Sequence, residues 1–266
     1  MVETGTMTSP PHCRPTPAIA PSSTHPHDTQ AYAICPVAPA GDAADLSETM
    51  MRAFYQDPHW ASLWKSPATL DDIIHDCARR LPRNLVNGRG NKRHQKAVAT
   101  ATGKAVGYAR WILPGEADEE AWADAAVPAV DEAERRRFEL AFESVTDGGS
   151  IHNLDGAMVD ELSVAIEAAE ARVRRVDGDA FLTLDYLATH PDHQRRGVGS
   201  MLLRSGLAYA DERALKVLVV AKTPGVKLYH DHGFCTVEVV EQERPQYGWT
   251  EPYRTTILVR HPDRAV

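Results

Sequence analysis

The chain has 266 residues, of which 43% are hydrophobic, and it carries a formal net charge of −8. That length allows one large domain or two small ones, with enough apolar material for a sizeable core. No stretch reaches the ~20 consecutive apolar residues of a membrane span, and the negative charge argues against a general nucleic-acid binder. We therefore expect neither a membrane nor a nucleic-acid partner.

The cysteines and histidines form no recognisable metal or disulfide pattern. Cysteines stand at positions 13, 35, 77 and 235, far apart and without a CxxC pair, so a reducing compartment is the default. This favours a cytoplasmic location and leaves a nuclear one open. A metal site built from histidines 190, 193, 230 and 232 is conceivable, but no carboxylate or cysteine stands at matching spacing, and we predict no metal.

Residues 1–30 differ in composition from the rest of the chain. They contain six Pro and nine Ser or Thr, with almost no large apolar side chains. Such a segment cannot bury enough surface to offset the entropy that is lost on ordering. It also lacks the apolar centre of a signal peptide and the Arg-rich start of a transit peptide. We predict a disordered tail, with order beginning near residue 31.

Between residues 31 and 113 the apolar pattern predicts strands and helices in mixed order. We expect a strand over 31–37, helices over 43–55 and 70–81, a basic loop over 87–93, and a hairpin with arms at 96–101 and 105–113. Asp42 or Asp45 is expected to cap the first helix. Along the second hairpin arm, strand alternation places Tyr108 and Arg110 on the face opposite Trp111.

Residues 115–177 are unusually acidic, with seventeen acidic and six basic residues and a net charge of −11. Helical spacing predicts helices over 116–126, 130–144 and 156–176, with a turn at 147–149. Two interpretations stay open. The segment is either an acidic wall that attracts a cationic amine or a basic peptide, or a solvated helical face, which is what runs of charge usually are. We favour the second.

The stretch 181–209 combines a strand, a glycine-rich turn and a helix. Phe181–Thr189 is an apolar, β-branched and aromatic run of strand length, and Pro191 interrupts it, because proline lacks the N–H that a ladder needs. Residues 194–200 follow as QRRGVGS, and the residues after them have helical apolar spacing. The first N–H groups of a helix have no intrahelical partner, and glycine permits close approach to the backbone. This turn is therefore a candidate phosphate cradle.

The glycine turn matches one known signature and fails two others. The dinucleotide fingerprint G-x-G-x-x-G fails because position 202 is Leu, and the P-loop signature is absent from the chain. QRRGVG instead resembles the Q/R-x-x-G-x-G/A signature of the GNAT N-acetyltransferases at each defined position. Downstream, LYHDHGF at 228–234 resembles the LYxxxGF segment of that family. The two motifs together cover about the last third of the chain, 180–260.

The resemblance implies an α/β (α+β) GNAT fold: a mixed, mostly antiparallel sheet, splayed where acetyl-CoA inserts, with helices on both faces. It implies a GNAT domain over 31–266, in which about 115–177 is a helical insert. The remaining elements fit this order, with strands expected over 215–221, 235–241 and 254–260 and a short helix over 224–230. The aromatic-rich connection over 244–253 either lies near the acceptor, as such connections often do in this family, or forms a structural Trp–Pro cluster.

The resemblance also implies that acetyl-CoA is the acetyl donor, and it indicates which residues hold it. In this family the glycine loop binds the pyrophosphate, and the splayed strand pairs with the pantetheine arm. Carried over to this sequence, the coenzyme-binding residues are Leu187, Ala188, Thr189, Gln194, Arg195, Arg196, Gly197, Val198, Gly199, Ser200, Lys222, Thr223 and Tyr229.

The catalytic roles also come from the resemblance. The tyrosine of LYxxxGF lies near the coenzyme sulfur in this family and acts as general acid, which assigns that role to Tyr229; the alternative is that it only packs beside the pantetheine. Asp185 is the candidate base on the central strand, although the family's glutamate falls about two residues earlier. Alternation places Thr183, Asp185 and Leu187 on one face of that strand.

The predicted function is transfer of an acetyl group from acetyl-CoA to the amine of a small-molecule acceptor, by direct attack in a ternary complex. Tyr108, Arg110 and Trp111 lie on a strand that lines the acceptor cleft in this family, and they either touch substrate or belong to ordinary sheet packing. Cys235 is expected to be a core residue, because no base stands beside it. Two other functions stay open: acetylation of protein lysines or N-termini, and a non-catalytic acyl-CoA sensor or scaffold.

Overall fold

The computed structural model describes residues 31–115, 118–178 and 180–263, so the tail predicted at 1–30 lies outside the described residues. The strands are β1 (Tyr32–Pro36), β2 (Lys92–Ala99), β3 (Ala105–Ile112), β4 (Thr146–Asp147), β5 (Ser150–Ile151), β6 (Phe181–Thr189), β7 (Lys216–Lys222), β8 (Cys235–Gln242) and β9 (Tyr253–Arg260). The α-helices are α1 (Ala43–Phe54), α2 (Pro58–Ala61), α3 (Leu70–Val86), α4 (Glu132–Glu143), α5 (Gly156–Asp177), α6 (Val198–Glu212) and α7 (Thr223–His230).

Seven strands of the described chain form one mixed sheet in the order β1-β2-β3-β6-β7-β9-β8. Every neighbouring pair is antiparallel except β6 and β7, which run parallel. A parallel pair needs a crossover connection, and α6 supplies it. The expected mixed, mostly antiparallel sheet is confirmed.

Helices cover both faces of this sheet. On one face, Leu182 and Val217 belong to the core beneath α6. On the other face, Tyr108 packs with α1 and α3, and Leu218 packs with α5. Neighbouring residues of one strand, such as Val217 and Leu218, point to opposite faces because the side-chain period of a strand is two. The helix α5 thus covers the half of the sheet that α1 and α3 do not reach.

Trp111 sets how closely α6 packs on the sheet. Its side chain is fully buried, and a Cβ added to Gly206 would lie 2.0 Å from its ring. A Cβ at Gly107 would likewise lie 2.6 Å from Val198. Glycine at these two positions lets α6 and β3 approach this closely. Trp111 therefore takes part in sheet packing, which was one of the two interpretations that the sequence left open.

The structure departs from the sequence prediction at the start of the insert. The helix predicted over 116–126 is wrong for its described part, where only a 3-10 turn forms at Ala123–Ala125. Trp122 has a φ of 52°, in the left-handed region that a right-handed helix excludes. The helices predicted over 130–144 and 156–176 are confirmed as α4 and α5.

The basic loop predicted over 87–93 is shorter than expected, because Lys92 and Arg93 belong to β2. Arg93 is buried, and its guanidinium donates hydrogen bonds to the carbonyl groups of Ala121 (2.6 Å) and Arg89 (2.7 Å). Sequence composition suggested a solvated loop because it does not show that backbone carbonyls can satisfy a buried guanidinium.

The predicted cap of the first helix is also wrong. Asp42 occupies the N-cap position of α1 but makes no capping hydrogen bond; its carboxylate accepts instead from Lys96 Nζ (2.6 Å). The Asp45 carboxylate accepts from the backbone N–H of Ala105 (3.1 Å). Both aspartates therefore tie α1 to the β2–β3 hairpin. The third helix, α3, continues to Val86, beyond the predicted end.

Across the three described ranges, no helix is long and apolar enough to cross a lipid bilayer. Within the same ranges, no group of three or more His, Cys, Asp or Glu side chains is placed to hold a metal ion.

Candidate active site

The parallel strands β6 and β7 separate before they end. Their last paired residues are Leu184 and Val219, yet β6 continues to Thr189 and β7 continues to Lys222. We call the opening between these two strand ends the gap. Backbone N–H and C=O groups must be satisfied by some partner, and an extended chain can hydrogen-bond to such a strand edge.

A β-bulge in β6 accounts for the separation. In the pairing with β3, Tyr186 lies opposite Arg110 and Leu184 lies opposite Trp111, so Asp185 is the extra residue. A bulge bends its strand and increases the local twist. The part of β6 after the bulge follows β3 and diverges from β7.

The bulge also corrects the predicted faces of this strand. The expectation that Thr183, Asp185 and Leu187 share one face is wrong. Thr183 Oγ1 accepts a hydrogen bond from Arg174 of α5 (3.0 Å), whereas Leu187 packs against the core beneath α6. One extra residue moves every following side chain to the other face.

The turn between β6 and α6 has the backbone shape of an anion cradle. After a 3-10 turn at Pro191–His193, Arg195 and Gly197 have φ values of 61° and 85°. Val198 begins α6 and is buried, and no side chain caps the helix at Gly197. The first N–H groups of α6 are therefore not used by a cap, and the helix dipole favours an anion at this position.

Positive charge and a fixed loop conformation accompany this cradle. Arg195 and Arg196 are exposed, and neither forms an ion pair within the described chain. Gln194 Nε2 donates to Gln56 Oε1 (2.9 Å) and to the carbonyl oxygen of Thr189 (3.3 Å). These bonds hold the loop against the end of β6 and leave both guanidinium groups available to an anionic ligand.

The predicted coenzyme-binding residues surround the gap. Leu187, Ala188 and Thr189 form the end of β6, Ser200 stands in the first turn of α6, and Thr223 begins α7. Ala188 is buried, Leu187, Thr189 and Ser200 are half-buried, and Thr223 is exposed. The structure thus brings these positions together, and their contact with a coenzyme stays a prediction.

Tyr229 is a buried residue near the end of α7, with 6% of its surface exposed. Its ring packs edge-on against Phe234, with centroids 5.5 Å apart. A Cβ on Gly199 would lie 3.4 Å from Leu228 and 3.6 Å from Thr189, so α6, α7 and the end of β6 meet here. Burial raises the pKa of the Tyr229 hydroxyl above its ordinary value. This group is therefore better suited to donating a hydrogen bond than to releasing its proton.

Lys222 is held by residues of β9. Its Nζ donates to Thr255 Oγ1 (2.8 Å) and lies 3.5 Å from the centroid of the Tyr253 ring. Burial lowers the pKa of Lys222 to about 8, and the charge of Asp57 acts in the opposite direction. Its amine is therefore engaged by residues of β9 and does not lie at the cradle.

Arg110 joins the predicted base to an aromatic ring. It forms an ion pair with Asp185, and its guanidinium lies 4.3 Å from the centroid of the Tyr186 ring. The Asp185 side chain is 36% exposed. Tyr108 is buried on the same face, and its hydroxyl lies 2.8 Å from His94 Nδ1. Arg110 and Tyr108 thus stand beside the gap on the face of α1, as strand alternation predicted.

Three segments assemble above the sheet on the α5 face, and we call them the roof: 57–65, 153–166 and 242–253. Leu63 and Tyr253 belong to one apolar cluster that draws on all three segments. The backbone N–H of Asp155 donates to the carbonyl oxygen of Leu63 (2.8 Å), and Trp249 Nε1 donates to Ser62 Oγ (3.0 Å). The roof is therefore tied together by hydrogen bonds as well as by packing.

Aromatic side chains connect the roof to both sides of the gap. Trp60 packs on Phe54 at 5.8 Å between ring centroids, and Phe54 packs on Tyr186 of β6 at 5.7 Å. On the other side, Tyr253 lies under the ammonium group of Lys222, at the end of β7. The roof thus extends from one strand end to the other across this face of the gap.

Two cavities lie beside these elements. One, of about 300 Å³, lies between α5 and the sheet and is lined by Ile112, Glu170, Arg174, Thr183, Leu184, Asp185 and Val220. The other, of about 470 Å³, lies between α1 and the start of the cradle and is lined by Glu48, Arg52, Tyr55, Gln56, Leu70, His190, Pro191 and Asp192.

Sequence reasoning missed the assembly of the roof from three segments and the contact of Tyr186 with Phe54 beside it. The available signal was the density of aromatic residues in 58–64 and 244–253, which no helical or strand period absorbs. Large aromatic side chains outside periodic elements still have to bury their surface. That signal shows that a partner exists, but it does not show that the partner is α5.

Part of this chain is similar to a known protein family. A family model for the acetyltransferase (GNAT) domain matches residues 158–236, a segment that contains most of α5 and all of β6, the cradle, α6, β7 and α7. No curated protein matches the sequence.

Solved structures share the fold at low identity. One is a Corynebacterium glutamicum protein described as histone acetyltransferase HPA2 and related acetyltransferase, at 15% identity and a TM-score of 0.52 over 89% of this chain and 99% of that one. Another is the Drosophila melanogaster polyamine N-acetyltransferase, which forms N-acetylagmatine, at 14% identity and a TM-score of 0.50 over 86% of this chain and 99% of that one. At such identities these likenesses show the fold alone. The match of residues 158–236 to the acetyltransferase (GNAT) domain model, together with the cradle and the gap, supports an acetyl-CoA-dependent acyltransferase with the GNAT fold.

Proposed function

We propose that this enzyme transfers the acetyl group of acetyl-CoA to the amine of a small-molecule acceptor, by direct attack in a ternary complex. The roof is the observation that carries this proposal, because it covers the acceptor side of the gap with packed aromatic residues. A protein substrate needs an open groove on that side. The cavity of about 300 Å³ beside Leu184, Asp185 and Val220 is at the lower end of the size range of small-molecule sites, ~300–1,000 Å³.

The donor fits the residues around the gap. Acetyl-CoA supplies an activated thioester when bound, and the uncapped start of α6 with Gly197, Arg195 and Arg196 has the donors that a pyrophosphate requires. The backbone of 187–189 has the free strand edge with which an extended pantetheine arm can pair. Such pairing would hold the reacting carbonyl group in the gap, below the roof, where an amine can reach it in the correct orientation.

Side chains near the gap would stabilise the leaving sulfur and hold the acceptor. Tyr229 would donate a hydrogen bond to the sulfur as negative charge develops on it. Trp60, Phe54 and Tyr186 would hold the acceptor and keep water from the thioester. Direct attack needs no covalent intermediate on the enzyme. The Drosophila enzyme that shares this fold is a polyamine N-acetyltransferase, so its acceptors are small amines.

Thermal melting with acetyl-CoA, coenzyme A, NAD and ATP tests the donor. A ligand that binds only the native state at a hundredfold excess over its Kd adds ~2.7 kcal/mol of stability. We expect a shift with the two coenzyme A species alone. A protein that melts at the same temperature with and without them would contradict the donor assignment.

Thiol release from acetyl-CoA tests the acceptor. We expect release with at least one member of a panel of putrescine, agmatine, 2-phenylethylamine and glucosamine, and none with lysine-containing or free N-terminal peptides. Release with peptides alone would replace the proposal with protein acetylation.

The variant Tyr229→Phe separates an enzyme from an acyl-CoA sensor. Loss of one hydrogen bond to a charged group costs about 1.5–3 kcal/mol, so we expect kcat to fall roughly tenfold to a hundredfold with the Kd for acetyl-CoA unchanged. Wild-type protein that binds acetyl-CoA and releases no thiol with any amine or peptide would instead support a sensor or scaffold.

A further inference from the structure

We propose that Lys222 is the base that takes the proton from the acceptor ammonium group. This inference rests on the proposed function and names the residue for its least explained step. An alkylamine carries a proton at neutral pH, and its nitrogen attacks a thioester only after losing that proton. A base must therefore stand beside the gap on the side from which the acceptor arrives.

Lys222 stands at that position. Along β7, Val219 and Ala221 pack beneath α6, whereas Val220 packs on the α5 face. Strand alternation puts Lys222 on the same face as Val220, and its Nζ contacts Tyr253 of the roof there. Lys222 is the last residue of β7, three residues beyond Val219, where pairing with β6 ends. The backbone of Lys222 thus borders the gap, and its amine lies on the acceptor side, over the Tyr253 ring of the roof.

Burial of Lys222 lowers the pKa of its amine toward neutral pH. Its Nζ has one hydrogen-bond acceptor, Thr255 Oγ1, and no carboxylate forms an ion pair with it within the described residues. The titratable groups that face it are Asp57 and His59 of the roof and Tyr253 of β9, whose ring lies 5.7 Å from that of His59. With a pKa of about 8, roughly a tenth of the Lys222 amine is unprotonated at pH 7.

The other titratable groups near the gap are less suited to this step. The Asp185 carboxylate is engaged in an ion pair with Arg110. His190 and His193 flank the cradle and are on its phosphate side. His94 is buried against Tyr108, where an acceptor cannot reach it.

With Lys222 as base, the protons and electrons of the reaction balance. The acceptor R–NH₃⁺ gives one proton to the neutral Lys222 amine, and the freed lone pair forms the N–C bond to the thioester carbon. The C–S bond then breaks, and the sulfur leaves with the electron pair. The nitrogen gives its second proton to that thiolate, which accepts a hydrogen bond from Tyr229, so the products are an amide and coenzyme A thiol. Lys222 releases the first proton to solvent before the next turnover.

Substitution of Lys222 by Arg is the sharpest test. Arginine keeps the positive charge, the bond to Thr255 and the stacking on Tyr253, but it does not lose its proton in proteins. With the best alkylamine of the panel we expect kcat of Lys222→Arg to fall by roughly 10²–10⁴, the range of a lost general base, while the melting shift with acetyl-CoA persists. Lys227→Arg, at an exposed position that pairs with Asp231, is the matched control and should keep wild-type kcat.

The pH dependence gives a second test. We expect kcat/KM to rise with pH, with the midpoint of the rise near pH 8. Asp57→Asn should move that midpoint to lower pH, because the Asp57 charge raises the pKa of Lys222. Asparagine can still accept the capping bonds at the start of α2. NMR titration of the Lys222 side chain, assigned by comparison with Lys222→Arg, should give the same midpoint.

The outcomes separate this inference from the proposed function. Wild-type protein without thiol release for any amine would refute both. Three results would each overturn the base assignment while the acetyl transfer itself stands. The first is a Lys222→Arg variant with wild-type activity, and the second is loss of the pH dependence near 8 in His59→Gln. The third is an NMR midpoint for Lys222 near the ordinary lysine value of about 10.4.

Discussion

The contact between Gly206 and Trp111 gives a quantitative prediction for Gly206→Ala. The new Cβ would lie 2.0 Å from Trp111 Cζ2 and 2.4 Å from two further ring atoms. Carbon atoms in contact lie about 3.5–4.0 Å apart, so either α6 or the ring must move by about 1.5 Å. Overpacking costs about 1–3 kcal/mol, and overlap with three ring atoms puts this case at the upper end, about 3 kcal/mol. The better helix propensity of Ala returns about 1 kcal/mol. We expect a net destabilisation of about 2 kcal/mol.

Thermal melting measures this effect directly. At about 2–4 °C per kcal/mol for a chain of this size, Gly206→Ala should lower Tm by about 4–8 °C. The control is Gly156→Ala, at the first position of α5, where a Cβ would meet no atom within 4 Å; its Tm should be unchanged or slightly higher.

Trp111→Phe then tests the cause. It removes the ring atoms that the new Cβ would meet, together with a buried indole N–H that has no hydrogen-bond partner among the described residues. The double variant should therefore lose less stability than the sum of the two single variants. Equal Tm values for Gly206→Ala and Gly156→Ala, or strict additivity in the double variant, would refute this account of the α6 packing.

Three further predictions concern the cradle, a buried cation and a buried histidine. Gly197→Ala and Gly103→Ala both place a Cβ in open space at positive φ and should each cost about 1–2 kcal/mol, but calorimetry should find weaker acetyl-CoA binding only for Gly197→Ala. Arg80 is 5% exposed, and its buried Nη1 has no hydrogen-bond partner in the part of the chain that the structure describes. Arg80→Met should therefore be neutral or stabilising in urea unfolding, and a loss of stability above about 2 kcal/mol would contradict this. Burial lowers the pKa of His94 to about 3, below ~6.5 in the unfolded chain, so the stability present above pH 6.5 is lost as the pH falls toward 3. That loss is about 2 kcal/mol between pH 6.5 and 5, and urea unfolding of His94→Gln should not show it.

The sequence predicts most of the fold because its signals are local. Strand and helix periods in 31–37, 70–81 and 181–189 depend on which side chains face the core, and the structure has elements at all three places. The glycine turn is equally local: the positive φ of Gly197 and the start of α6 follow from residues that are adjacent in the chain. Both motifs of the acetyltransferase family lie in such segments.

The parts that sequence reasoning got wrong depend on contacts between distant segments. The bulge at Asp185 exists because β6 pairs with β3 out of simple register, and strict alternation within one strand carries no sign of it. The buried position of Arg93 depends on the carbonyl groups of Ala121 and Asp118, which lie more than twenty residues away. The engagement of Lys222 with Thr255 and Tyr253 likewise appears only when β7 and β9 are paired.

Part of the negative charge of the insert is paired with basic residues elsewhere in the chain. Glu161 pairs with Arg244 (3.0 Å) within the roof, and Glu139 pairs with Arg83 of α3 (3.0 Å). These pairs are partly exposed, so each adds little to stability, but they offset the negative charge of 115–177 at the places where the insert meets the rest of the chain. At physiological ionic strength, screening limits the attraction that the remaining negative charge exerts on a cationic acceptor to distances of about 8 Å. We therefore expect the insert to affect acceptor choice through the packed roof that α5 helps to build. The shape of the roof and its aromatic contacts act on a bound acceptor at short range, whatever the net charge of the insert.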